Sequence, residues 1–254
     1  MNPYQEIARL LRDATRVLFI TGAGVSADSG LPTYRGLGGL YEDAITDEGY
    51  AIEDALSGDM MAARPEITWK YLLQIERNCR GAKPNLAHEV IARLERTIPE
   101  VIVYTQNVDG LHLAAGSRNV IEIHGNLHHL SCTRCSYRTQ VDTYEGFADP
   151  PLCPQCHAPI RPDVVLFGEA LPTAALEAIE DALADGVDMV FSVGTSSLFP
   201  YIVEPLLWAH AAGIPTVEIN PAETSVSGIV DYPIRAGAAE AMGRIWHALL
   251  ADGE

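Results

Sequence analysis

Hydrophobic and polar positions along this 254-residue chain fall into two kinds of stretch that alternate. Short, nearly unbroken apolar runs predict strands buried on both faces: Val17–Ile20, Val101–Tyr104, Val120–Ile123, Met189–Val193 and Pro215–Ile219, with a short one near Tyr232–Arg235. Between them, apolar residues at helical spacing predict helices over Met1–Ala14, Ile67–Ile75, Leu86–Arg96, Thr173–Ala184 and Ala238–Ala251. Asn85 stands at the N-cap of the third helix, just after Pro84. Leu37–Met61 mixes Gly, Asp, Glu and Tyr with weak periodicity and predicts a loop with short helices. Strands alternating with helices imply an α/β fold: a Rossmann-like, mostly parallel sheet with helices on both faces.

In such sheets ligands bind outside the carboxyl ends of the strands, and the polar residues of this sequence gather there. Val17–Ile20 runs into Gly22, Ala23 and Gly24, and the spacing Gly22-x-Gly24-x-x-Ala27 fits the alanine variant of the dinucleotide fingerprint. Gly22 permits a tight turn, Gly24 lets backbone approach a pyrophosphate, and a helix after the turn would aim N–H groups at it. Glycine turns after strands are common, so this motif alone reads equally well as punctuation. The tail Ser29–Gly36 departs from an ordinary dinucleotide unit. A polar loop marked by Gly and Pro, with Tyr34 and Arg35, stands where a second strand would follow, and such a loop can cover a cofactor.

Val101–Tyr104 leads to Gln106, Asn107 and Asp109, and the next strand leads to His124. A histidine at a strand end is a candidate general base. Taken singly it is more often structural, and seven others compete among the eight histidines. No G-x-S-x-G elbow and no H-E-x-x-H helix occurs, which removes support for a serine hydrolase or a catalytic zinc.

Charge and cysteine usage narrow the partners. A net charge of −17 repels phosphate backbones, so direct nucleic-acid binding is disfavoured, while basic peptides are attracted. Solubility alone also accounts for such a charge. Met1–Ala14 lacks a basic start and carries Glu6 and Asp13, unlike a secretory leader. No apolar run reaches membrane-spanning length, so no membrane partner is expected and the cytoplasm is the default compartment. Of five cysteines, Cys79 reads as an inert thiol.

The other four form Cys132-x2-Cys135 and Cys153-x2-Cys156, 17 residues apart, which matches a four-cysteine zinc pattern. Two knuckles complete a closed tetrahedron, so one structural zinc ion is expected. The chain between them is short and polar, and the metal is expected to carry its folding.

Together these blocks resemble the sirtuin family, the NAD-dependent protein lysine deacylases, as a prokaryotic-type core enzyme. The matching pieces are GAGVSADSGLPTYRG (22–36), TQNVDGLH (105–112), IHG (123–125), the two cysteine pairs, RPDVVLFGE (161–169), VGTSS (193–197) and EIN (218–220), in family order. The resemblance implies that NAD is consumed as a co-substrate, yielding nicotinamide, O-acyl-ADP-ribose and free lysine. It implies Gly22, Ala23, Gly24, Ser26, Tyr34 and Arg35 at the NAD phosphates and ribose, with Gly194, Thr195, Ser196 and Asn220 at the adenosine half. Gln106, Asn107 and Asp109 would shape the nicotinamide pocket, Asn107 and His124 would be catalytic, and His124 would be the base. Val164, Val165, Phe167, Gly168 and Glu169 would flank an acyl-lysine peptide. The implied division is a large NAD-binding domain of residues 1–45, 84–125 and 160–254, with a small helical and zinc-ribbon domain of residues 46–83 and 126–159.

Three departures from the family pattern stand out. Tyr34 replaces a common Phe, and GTSSLFPYIVEP replaces GTS-small-x-V-x-P. Tyr71-Leu-Leu-Gln74 stands where members preferring succinyl or malonyl groups carry Tyr-x-x-Arg. An acidic acyl group would lack its cation there, so neutral acyl groups are favoured. The alternatives are a sirtuin-type mono-ADP-ribosyltransferase and, in a different class, a non-catalytic NAD-sensing zinc-ribbon module. A hydride-transferring dehydrogenase fits poorly, because no second strand with a ribose-binding acid follows Gly30.

Overall fold

The computed structural model describes residues 2–33 and 45–251. Its strands are β1 (Arg16–Thr21), β2 (Glu100–Thr105), β3 (Val120–Glu122), β4 (Gly125–Cys132), β5 (Arg138–Gln140), β6 (Ile160–Val164), β7 (Met189–Val193), β8 (Thr216–Ile219) and β9 (Tyr232–Ile234). Its helices are α1 (Pro3–Asp13), α2 (Ile52–Ala55), α3 (Gly58–Ala63), α4 (Pro65–Cys79), α5 (Leu86–Leu94), α6 (Leu111–Ala115), α7 (Thr173–Ala184), α8 (Pro200–Ala211) and α9 (Ala238–Ala251).

Six strands form one parallel sheet in the order β3-β2-β1-β7-β8-β9. Alternation along β1 divides its side chains between two cores. Val17 and Phe19 join α1, α5 and α9 on one face, while Leu18 and Ile20 join α7 and α8 on the other. Both faces are therefore dry, which is why β1 and β7 read as unbroken apolar runs. The chain travels outward from β1 to β3 and later returns to β7 on the other side of β1, so the switch point lies between β1 and β7.

A second sheet, β5-β4-β6, is antiparallel. β6 pairs with β4, so residues grouped by sequence with the large domain enter the small sheet. Ile160, Pro162 and Val164 alternate inward along it. Leu127, Leu130 and Ile160, with Tyr144 from the chain between the knuckles, pack against Trp69 and Leu72 of α4, so an apolar core stands beside the four cysteines. The missed signal is long-range: β4 and β6 contribute only two or three apolar residues each and β5 none, and their partners lie on a helix far away in sequence.

Two further differences concern elements. The segment after Gly22 is a seven-residue 3₁₀ helix, Ala23–Ser29, closed by Gly30 at φ 83°. α8 is hidden in the sequence by Pro200 and Pro205. Pro200 suits the first turn of a helix, whereas Pro205 withholds an N–H from the carbonyl of Tyr201. The Tyr104 hydroxyl donates to that carbonyl instead, at 3.2 Å.

Candidate active site

The switch point is built by two loops in close contact. Gly22 N–H donates to the carbonyl of Val193 (3.1 Å) and Gly24 N–H to that of Gly194 (2.8 Å). A Cβ on Gly24 would lie 2.7 Å from the Gly194 Cα, and one on Gly194, at φ 61°, would lie 2.3 Å from the Val25 nitrogen. The space cleared by these glycines is thus occupied by the facing loop, an account that the fingerprint spacing alone does not give.

Polar side chains beyond β1 and β2 form one network. The Asn107 Nδ2 donates to the Gly22 carbonyl and to Ser26 Oγ, both at 3.2 Å. Ser26 Oγ donates to Asp109 Oδ2 at 2.7 Å, and the Leu111 N–H donates to Asp109 Oδ1 at 2.9 Å. Burial raises the Asp109 pKa, and those two donors oppose the rise. Ser26 Oγ also lies 3.5 Å from His88 Nε2, a partner that sequence reasoning missed. Ala23, Ser26, Asn107 and Asp109 line a small cavity together with Ile75 and Cys79 of α4.

A second chain of contacts runs from His124 across the sheet. Its Nδ1 lies 3.0 Å from the Gln106 carbonyl, and Gln106 Nε2 donates to Thr195 Oγ1 at 2.8 Å. The Asn220 Nδ2 donates to the Thr195 carbonyl at 3.0 Å. A carbonyl only accepts, so the His124 proton sits on Nδ1 and the lone pair on Nε2. Desolvation lowers the His124 pKa, opposed by the bond to Gln106, so the ring is neutral near pH 7. Gly125, at φ 79°, turns the chain into β4; a Cβ there would lie 1.8 Å from the Asp163 carbonyl oxygen. Glycine after this histidine is a steric requirement.

The remaining predicted residues are distributed as follows. The Val165 N–H donates to the His124 carbonyl at 2.9 Å, next to Val164 at the end of β6. Phe167 pairs by its backbone with Leu56 and Gly58, at 3.0 Å each. Gly168, at φ 80°, turns the chain, and Glu169 receives both Arg161 Nη atoms at 2.5 and 2.8 Å. Ser196 is exposed. Tyr34 and Arg35 lie outside the described residues. Tyr71 does not face the cavity beside Asp109: its hydroxyl donates to Glu48 at 2.7 Å, and Gln74 is exposed, while Ile75 takes the facing position.

The four knuckle cysteines converge. Their Sγ atoms all lie within 4.8 Å of one another, with Cys132–Cys156 at 3.4 Å and Cys135–Cys153 at 3.6 Å. Sulfurs about 2.3 Å from a tetrahedral zinc would stand about 3.8 Å apart, so the donor set fits that ion. N–H groups of Arg134 and Cys135 point at Cys132 Sγ, and that of Gln155 at Cys153 Sγ.

Fold and site together define an α/β protein with a nucleotide crevice at its switch point and a separate four-thiol centre able to hold zinc. The sequence model of the Sir2 family matches residues 22–200, and the chain belongs to that family. It is 48% identical over 243 residues to NAD-dependent protein deacylase 2 of Pseudomonas syringae pv. tomato, covering 94% of this chain and 98% of that protein. It is 46% identical to the Pseudomonas aeruginosa protein of the same name, covering 96% of each. Among solved structures, a Sir2 homologue–NAD complex superposes with TM-score 0.85 at 35% identity, covering 97% of this chain and 94% of that one. A Sir2–p53 peptide–NAD+ complex superposes with TM-score 0.82 at 31% identity, covering 95% and 96%.

Proposed function

We propose that this chain is an NAD-dependent protein lysine deacylase, with His124 as general base and the peptide lying along residues 164–169. The observation that carries the reading is the locked tautomer of His124. Its Nδ1 is committed to the Gln106 carbonyl at 3.0 Å, leaving a lone pair on Nε2. A neutral imidazole so oriented can accept a proton from a ribose hydroxyl, which frees that oxygen to capture the acyl group. Asn107, Ser26 and Asp109 would orient the nicotinamide ribose and carboxamide, with Gln106, Thr195 and Asn220 continuing toward the adenosine. NAD supplies the ribose carbon that becomes electrophilic as nicotinamide departs. The relatives named for this activity, and the solved complexes with NAD and peptide, support the assignment. Zinc would be held by Cys132, Cys135, Cys153 and Cys156 and would act structurally, because all four positions of a tetrahedron are filled.

We read neutral acyl groups as the preferred substrates, because the uncharged Gln74 stands where members preferring acidic acyl groups carry an arginine, and an acidic acyl group would be desolvated without a cation. We also read residues 1–45, 84–125 and 160–254 as the NAD-binding domain and residues 46–83 and 126–159 as the small domain, with β6 at the seam. No helix among the described residues is long and apolar enough to cross a membrane. We read the compartment as the cytoplasm, since thiols in a metal arrangement suit a reducing environment, and the acidic charge disfavours nucleic acid.

The test is mass spectrometry of the pure protein with NAD and acetyl-, crotonyl- and succinyl-lysine peptides. Acetyl or crotonyl loss should match O-acyl-ADP-ribose formed, and His124→Ala should lower the rate roughly 10²- to 10⁴-fold. Transfer of ADP-ribose to protein without acyl loss would move the assignment to the transferase. Dominant succinyl loss would overturn the reading of Gln74.

A further inference from the structure

Leu198–Pro205, within one of the three departures from the family pattern, delivers an aromatic hydroxyl to the proposed base. Tyr201 is the second residue of α8. Its carbonyl accepts from the Tyr104 hydroxyl, and Pro205 has no N–H to offer it. Its ring stacks on Phe199 with centroids 5.4 Å apart and planes 16° apart. The same ring meets the His124 imidazole at 5.9 Å and 77°, and Phe199 meets it edge-on at 6.3 Å. The Tyr201 hydroxyl ends 2.8 Å from His124 Nε2.

Donor and acceptor in that contact follow from the other ring nitrogen. Nδ1 faces a carbonyl and must carry the proton, so Nε2 accepts and the phenol donates. One lone pair accepts one strong hydrogen bond, and a ribose hydroxyl giving up its proton needs that lone pair.

We infer that Tyr201 is a displaceable cap on His124: a positioning residue that holds the base in its working tautomer and yields the Nε2 contact to the ribose hydroxyl of NAD. This rests on the reading of His124 as the base. One O–H donor replaces another, so the number of hydrogen bonds to the ring is unchanged by the exchange. In the chemical step the ribose O–H bond breaks and an Nε2–H bond forms, while Tyr201 keeps its own proton. Because the phenol competes with NAD for Nε2, it weakens NAD binding by about the net worth of one hydrogen bond, roughly two- to tenfold.

Tyr201→Phe tests this, since it keeps the ring and its stack on Phe199 and removes the hydroxyl. In the free protein, carbethoxylation of His124 by diethyl pyrocarbonate, followed by peptide mass spectrometry, should run roughly two- to tenfold faster in the variant. The calorimetric Kd for NAD should fall by a similar factor, and kcat/KM for NAD should rise. A residue with a merely structural role would move these quantities the other way or not at all. A tenfold or greater fall in kcat would overturn the cap in favour of a proton relay through the phenol. Unchanged modification rate and unchanged Kd would overturn it outright. Full activity in His124→Ala would remove the base reading and this inference with it. An inactive His124→Ala beside an unresponsive Tyr201→Phe would defeat the cap alone.

Discussion

The six-stranded and three-stranded sheets are held together by different means, and the difference shows which one fixes the chemistry. In the large sheet β1 and β7 are buried almost throughout, and Phe19 stacks on Phe191 with centroids 4.6 Å apart across the strand pair. Asn107 and His124 are anchored there by backbone carbonyls, at 3.2 Å to Gly22 and 3.0 Å to Gln106. Rigid, apolar support of this kind fixes side-chain geometry with no metal required. The small sheet is graded. Its base packs Leu127, Leu130 and Ile160 on Trp69, but β5 is largely exposed, and the tip holds together at four thiols. The two sheets meet at the His124 carbonyl, which accepts from the Val165 N–H just beyond β6. The small sheet thus reaches His124 through β4 and β6, and it also touches the Asn107–Asp109 segment, where the Leu127 N–H donates to the Val108 carbonyl at 3.0 Å.

Metal removal should break the comparison at its weakest place. Stripping zinc with a strong chelator is expected to unfold the tip, residues 132–138 and 153–158, an effect on the order of 10 kcal/mol locally. Amides of β1, β2, β7 and β8 should keep their protection. Hydrogen exchange read by mass spectrometry, with and without chelator, decides this. Loss of protection across the large sheet would mean that both sheets unfold as one cooperative unit.

Trp69→Ala acts on the base of the small sheet instead. Trp69 is fully buried, contacts Tyr144 at 5.4 Å, and donates its indole N–H to the Ile160 carbonyl at 2.8 Å. Truncation should cost about 3–5 kcal/mol even with zinc bound, measured by urea unfolding. A cost under about 1 kcal/mol would assign the base to the metal as well.

What the sequence disclosed follows the same division. α7 and α9, with their amphipathic spacing, and the apolar central strands were legible because local pattern and tertiary burial agree there. The cysteine knuckles were legible because metal geometry imposes a spacing on sequence. α8 was not, because two prolines mask a helix whose missing hydrogen bond is supplied by Tyr104, outside the segment. Nor was the role of Gly24, whose absent Cβ makes room for a residue in a different strand's loop. The rotation of α4 was not legible either: only the helix's docking on the rest of the fold turns Ile75 toward the cavity beside Asp109 and leaves Gln74 exposed. Tyr201 left a trace as a departure from the family pattern, but its partner His124 is distant in sequence.

Acidification should sharpen the comparison from the side of the large sheet. His88 and His112 sit beside each other beneath the site, rings 4.8 Å apart, with His112 Nε2 on Thr21 Oγ1 at 3.0 Å. Burial lowers the pKa of His88 to about 4; burial, with a contribution from His88, lowers that of His112 to about 3. Both are neutral in the fold, whereas in the unfolded chain they charge as pH falls through about 6.5. The unfolded state then binds more protons, so stability is complete above about pH 6.5 and declines as pH falls toward the folded values. The slope is about 1.4 kcal/mol per pH unit for each histidine. Urea unfolding between about pH 7 and about pH 5 should show this loss, and His88→Gln should remove about half of the slope. A flat profile over that window would mean that both rings take up protons in the folded protein as readily as in the unfolded chain, and the dry support attributed to the large sheet would then not extend to its rim.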